Sequence, residues 1–202
     1  MSISHLLLLA TQELNTDIVC LRARNNATFA KHAHPWPGLL LKKADMAPYN
    51  TNRSALDRRS LIYYSAIGAM PSLASDPNLH ACAHLYASDV NSLLMVAAHT
   101  GLEGSYSQMA SLSQTVLLHT GVGGFDVGDD GQGRKWYVLE VRADRLEDGR
   151  ATHKSRIWRE GDGLHVGSTM QDGLIRLRFQ DEEEAERARR GLRGVPVWDA
   201  KL

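Results

Sequence analysis

From residue 135 to 179 apolar and polar positions alternate in runs of about ten residues, separated by glycine-bearing breaks. That period of two predicts half-buried strands over Lys135–Ala143, Ala151–Arg159 and Leu164–Phe179. Turns at Glu147-Asp148-Gly149 and Glu160-Gly-Asp-Gly163 join them into hairpins. In the last strand Met170, Leu174 and Arg176 share one face, with Ile175 and Leu177 on the other. Gln171 is expected to face the core, where an amide must find partners or cost stability. It is therefore a candidate for holding a ligand or a water.

Upstream, Leu93, Leu94, Val96 and Ala97 are apolar nearly all round a helix, ended by Gly101 and capped at Ser88 or Asp89. Such a helix has to be enclosed, and a sheet curling round it is the expected solution. Met109–His119 reads as a strand, and Gly121–Gly133 as a mobile hairpin loop lining a site entrance; no Gly-Lys-Ser/Thr follows it, so it is no phosphate cradle. Helix spacing of Leu61, Tyr64 and Ile67 predicts a helix within Leu56–Met70, followed by a loop over Pro71–Asn78. Asp181–Leu192 carries acids in its first turn and arginines in its last, matching a helix dipole. Leu6–Leu9 and Leu39–Leu41 could each begin a short element.

The architecture expected is α+β, one apolar helix followed by four antiparallel strands. The domain boundaries expected are an N-terminal extension over 1–55, the main domain over 56–180, and a charged helix with a tail over 181–202.

Composition narrows the chemistry. Of 202 residues 43% are apolar and 23% charged, with Lys+Arg and Asp+Glu both at 23. No net field favours nucleic acid, and 6% aromatic content weakens base stacking. Two distant cysteines, Cys20 and Cys82, predict no disulfide framework. No run approaches the roughly 20 apolar residues of a membrane span. His80-Ala-Cys82-Ala-His84 and His32/His34 bring metal-ligating types together, but without a fourth ligand at a familiar spacing they predict an ordinary buried element and an exposed loop. No metal and no cofactor are expected. Ala200-Lys201-Leu202 resembles the small–basic–leucine tripeptide of peroxisomal import, implying an import receptor as partner.

Several ordered blocks carry a wider resemblance: Tyr86-Ala-Ser88-Asp89-Val-Asn91-Ser-Leu-Leu94, Met109-Ala-Ser-Leu112, Trp136-Tyr-Val-Leu-Glu140, Gly149-Arg150 and Gly167-Ser-Thr-Met-Gln171-Asp-Gly-Leu-Ile-Arg176. Together, over roughly Leu61–Phe179, they resemble the acyl-CoA thioesterase II family. The resemblance implies a hotdog fold, hydrolysis of fatty acyl-CoA to free acid and coenzyme A, and in eukaryotes commonly a peroxisomal location. It places the family's catalytic Asp, hydroxyl and Gln on Asp89, Ser111 and Gln171, around one water. Asp89 would be the base, and amides at the start of its helix the oxyanion donors. Two departures accompany it. Ser113-Gln114 stands where the family usually has Asp-His, and residues 1–55 are too short for the first of the family's two hotdog units. A homo-oligomer or a second hotdog unit is therefore the expected partner, a catalytically impaired subunit the alternative. An enoyl-CoA hydratase on the same fold is less well matched, since no His follows Asp89 until His99.

Overall fold

The computed structural model describes residues 37–90, 92–128, 134–179 and 181–191. Leu6–Leu9, His32, His34, Cys20 and the Ala200–Leu202 tripeptide lie outside the described residues. No helix among the described residues is long and apolar enough to cross a membrane.

Six strands form one antiparallel sheet in the order β1-β2-β4-β5-β6-β3: β1 Leu39–Lys43, β2 Ser60–Ala66, β3 Tyr106–Leu118, β4 Tyr137–Glu147, β5 Arg150–Arg159 and β6 His165–Leu177. The helices are the single turn α1 (Ala47–Asn50), α2 (Pro77–Asp89), α3 (Ser92–Thr100) and α4 (Glu182–Gly191). The sheet thus takes its first strand from upstream of residue 56. The β4–β5 turn explains itself: Asp148 and Gly149 both have positive φ, 50° and 70°, the geometry that an Asp-Gly pair enters cheaply and that matches strand twist.

The inner face of the sheet, with Ile62, Tyr64, Tyr137, Leu139, Val141 and Ile157, packs on Ala87, Val90 and Met95 of the helices. Leu93, Val96 and Ala97 of α3 continue this core against Ala143, Ala151 and Ile175. The enclosed apolar helix followed by four antiparallel strands is therefore present, with α3 in that role.

Three expectations are corrected. Leu56–Met70 is not a helix: a 3-10 turn at Ala55–Asp57 leads into strand β2. Ser60 to Ser65 are all buried, because Leu61 and Tyr63 are covered by Ala44 and Met46 on the outer face while Ile62 and Tyr64 face the core. A strand buried on both sides loses its period of two. Second, Asp89 caps no helix N-terminus. It is the last residue of α2, whose N-cap is Asp76, accepting from the Leu79 N–H at 3.0 Å with Pro77 at the first helical position. His80 and His84, one turn apart on that helix, are both buried. Third, the start of the glycine-rich connector packs into the core. Phe125 and Val127 are buried; the Phe125 carbonyl accepts from His84 Nε2 and the Val127 N–H donates to His80 Nδ1. Residues 129–133 of it lie outside the described residues.

Gly173 fixes how closely α3 approaches the sheet. A Cβ there would lie 2.3 Å from Leu93 Cδ1 and 2.8 Å from the Ala110 carbonyl oxygen. Leu93 could rotate away; the backbone oxygen of the neighbouring strand could not. Gly173→Ala should destabilise the fold by roughly 1–3 kcal/mol through overpacking, read as a lowered thermal midpoint. An unchanged midpoint would show that the contact is soft.

Candidate active site

Strand β6 carries Gln171 inward, in step with Thr169, Gly173 and Ile175. The side chain is 1% exposed, so each of its polar atoms needs a partner. All three kinds of bond are present. Its Nε2 donates to Asp89 Oδ1 at 2.6 Å and to Ser111 Oγ at 2.8 Å. Its Oε1 accepts from His153 Nε2 at 2.7 Å. Asp89, Ser111 and Gln171, 60 and 82 residues apart by the two bonds, thus meet at one amide.

His153 was not anticipated. It lies opposite Gln171 on β5 and is 0% exposed. Since Nε2 donates to the Gln171 oxygen, Nδ1 is left to accept from Ser155 Oγ at 3.3 Å. Burial holds its pKa below the ordinary value, outweighing the opposing pull of the Gln171 bond and of Asp89. A neutral imidazole with this tautomer fixes which way the Gln171 amide points: oxygen toward His153, nitrogen toward Asp89 and Ser111. The signal in the sequence was its parity. His153 alternates in step with Ala151, Ser155 and Ile157, all buried.

A bulge in β3 shapes the other wall. Ser111 pairs with Gly173 and Ser113 with Asp172, so Leu112 is an extra residue in the ladder. Beyond it the facing residues change phase, and Gln114 comes opposite Gln171. Gln114 Nε2 donates to Ser88 Oγ at 2.7 Å, and Ser88 Oγ donates to the Leu85 carbonyl at 2.7 Å. The residue standing where an imidazole was expected therefore tethers β3 to the helix end that carries Asp89, while the site's imidazole comes from β5.

Asp89 and Ser111 are exposed, in contrast to Gln171 and His153. The site is thus buried on its β5–β6 side and open on its β3 side. There β3 is the edge of the sheet, paired among the described residues with β6 alone. The exposed residues along it include Leu112 at 54% and Leu117 at 57%. Helix α3 begins at Ser92, three positions after Asp89, and its first N–H groups lack intrahelical partners.

Comparison with known proteins bears on the family and the fold. The family described as acyl-CoA thioesterase C-terminal domain matches residues 33–175. Among solved structures, acyl-CoA thioesterase II TesB2 from Mycobacterium marinum superposes with a TM-score of 0.55 at 22% identity, covering 74% of this chain and 56% of that one. A tesB protein of Mycobacterium avium subspecies paratuberculosis gives 0.51 at 16% identity, covering 69% and 48%. A protein described as a thioesterase, from Syntrophus aciditrophicus, gives 0.51 at 13% identity, covering 80% and 99%. No curated protein matches the sequence. The chain spans about half the length of the two mycobacterial proteins. Its curled antiparallel sheet on a helix is the hotdog fold, and with the family match over most of its length the chain belongs to the acyl-CoA thioesterase family, aligning with its C-terminal domain.

Proposed function

We propose that the chain hydrolyses a fatty acyl-CoA, or a related acyl-CoA, to the free acid and coenzyme A, using Asp89, Ser111 and Gln171 to direct a water at the thioester carbonyl. The observation that carries this reading is the convergence of the Asp89 carboxylate and the Ser111 hydroxyl on the Gln171 amide. Asp89 accepts one proton from the water as its oxygen adds to the carbonyl. Ser111 accepts from Gln171, so its own O–H is available to orient that water. Gln171, locked by His153, holds the two together. The first amides of α3 are suited to the oxyanion, being unpaired and positively polarised. Collapse of the tetrahedral adduct breaks the C–S bond, and the thiolate leaves as coenzyme A. No covalent acyl-enzyme is needed.

The open β3 side supports a further part of the reading: a second hotdog unit, supplied by another copy or another chain segment, pairs along that edge. A long edge strand open along one side, with exposed leucines, is a template for strand pairing. Free-thiol release from short- and long-chain acyl-CoA, measured alongside the mass in solution, tests both. Thiol release by a species of twice the chain mass is expected. A monomer that releases none would favour the second reading, an impaired subunit, which the exposure of Asp89 and Ser111 favours.

A peroxisomal location is proposed from Ala200-Lys201-Leu202. A fluorescent protein fused ahead of the chain should colocalise with a peroxisomal marker and become diffuse on Lys201→Glu. Diffuse signal from the unaltered fusion would sink this proposal.

A further inference from the structure

The outer face of the sheet, turned away from the helices, carries a second constellation. On β4, β5 and β6 the residues alternating with the core are Glu140 and Arg142, Lys154 and Arg156, and Ser168 and Met170. The register sets Arg142 opposite Lys154 and Glu140 opposite Arg156; across the next pair, Lys154 faces Met170 and Arg156 faces Ser168. Thr115 and Leu117 of β3 continue these two rows. With Arg59 they line a cavity of about 300 Å³.

Its charge is lopsided. Four cations, Arg59, Arg142, Lys154 and Arg156, face one lining carboxylate, Glu140. That carboxylate is already engaged, by Arg59 at 3.7 Å and by the Trp158 indole N–H at 3.1 Å. Lys154 reaches Asp144 beside the groove at 2.9 Å. Arg142 and Arg156 make no ion pair among the described residues. Arg142 and Lys154 stand directly across from each other, like charges that repel across a strand pair, with Asp144 offsetting the charge of Lys154 alone. The chain as a whole is neutral, so this concentration is local and not a general basic bias.

The spacing says what would fit. Adjacent strands lie about 5 Å apart, and alternate residues on one strand about 7 Å. The Arg142 and Arg156 guanidinium groups, with the Lys154 ammonium between them shared with Asp144, exceed the span of one carboxylate and suit linked phosphates. Guanidinium forks bind phosphate oxygens in pairs, and Ser168 and Thr115 add hydroxyls at the groove wall. Met170 and Leu117, 45% and 57% exposed, provide an apolar flank for an attached organic group.

We propose that this groove binds the polyphosphate portion of a nucleotide, on the face of the sheet opposite Asp89, Ser111 and Gln171. The site is independent of the hydrolytic reading. A nucleoside 5′-polyphosphate carries that chemistry; adenosine 3′-phosphate 5′-diphosphate, the nucleotide end of the proposed substrate, is the competing identity that the test has to separate from it.

Calorimetric titration at physiological ionic strength, with inorganic tripolyphosphate, ATP and adenosine 3′-phosphate 5′-diphosphate as probes, tests it. Saturable binding of tripolyphosphate is expected, with ATP binding more tightly than adenosine 3′-phosphate 5′-diphosphate; the reverse order would make the groove part of the substrate's own site and overturn the proposal. Arg142→Gln with Arg156→Gln should weaken binding at least about tenfold, since each removes a charge-assisted bond. Arg156 is exposed and Arg142 half-buried on the outer face, and circular dichroism should show the variant folded. Arg145→Gln, a cation paired with Glu147 elsewhere on the sheet, and Asp89→Asn should leave binding unchanged. Absence of binding, equal binding by the double variant, or loss of binding in Asp89→Asn would overturn the proposal.

Discussion

Asp89→Asn is expected to lower kcat for thioester hydrolysis by about 10²–10⁴-fold, the usual contribution of a positioned base, while leaving the fold intact. The substitution is chosen for its geometry. An Asn oxygen still accepts from Gln171 Nε2, so the 2.6 Å bond that ties α2 to β6 can persist. What is removed is the capacity to take a proton from water. Asp89 is exposed, so the thermal midpoint should move by no more than a few degrees, the scale of about 1 kcal/mol. Ser111→Ala should cost less activity than Asp89→Asn, because the carboxylate and the amide remain. Hydrolysis in Asp89→Asn at the unaltered rate would remove Asp89 from the mechanism. Loss of activity together with unfolding would make it structural.

Acidification should unfold the protein between about pH 6.5 and 4. His84 and His99 are both buried, and each is pushed down to about 4, in each case chiefly by burial. His84 donates from Nε2 to the Phe125 carbonyl and accepts at Nδ1 from the Tyr64 hydroxyl, 2.6 Å away. A proton on Nδ1 would turn the Tyr64 hydroxyl from donor to acceptor and take away the acceptor for its own proton. His99 meets Ser60 Oγ at 2.9 Å, with the cations Lys43, Arg58 and Arg59 opposing further charge. The unfolded chain titrates these imidazoles near pH 6.5 and the folded chain only near 4, so in that interval the unfolded state binds more protons. Their contribution is complete above pH 6.5, falls as the pH drops, and is gone below 4. At the 1.36 kcal/mol of one pKa unit each is worth roughly 3 kcal/mol, which together rivals the ~5–15 kcal/mol stability of a typical domain. Urea unfolding at pH 7.5, 5.5 and 4.5 should show midpoints falling steeply. A midpoint unchanged between pH 7.5 and 4.5 would contradict the buried neutral state.

The parts of the fold that could be read from the chain were those with one wet face and a sharp turn. Strand β5 and most of β4 and β6 alternate between buried and wetter positions, and Asp148-Gly149 marks their first hairpin. Gln171 was legible for the same reason: an amide in step with the core face has to be bonded. Strand β2 was not, because burial on both sides erases alternation and left only an accidental helix-like spacing. Asp89 looked like a cap because it precedes an apolar run. The true start of that helical region, Asp76-Pro77, carried the better signature of an acidic cap before proline but was read as loop. His153 stayed hidden between Thr152 and Lys154, two polar neighbours that disguise an inward position. Its importance comes from the strand beside it, and pairing partners are not written in local sequence.

The additional residue in β3 acts as a phase shifter for everything that follows it. Were Leu112 deleted, the downstream half of the strand would slide by one position or turn over, and Gln114 would exchange places with an outward-facing neighbour. One short excision would thus disconnect Ser88 from the sheet without touching Asp89, Ser111 or Gln171. In this chain the spelling of the site includes a letter that makes no contact of its own with the three residues, and its loss would garble the rest.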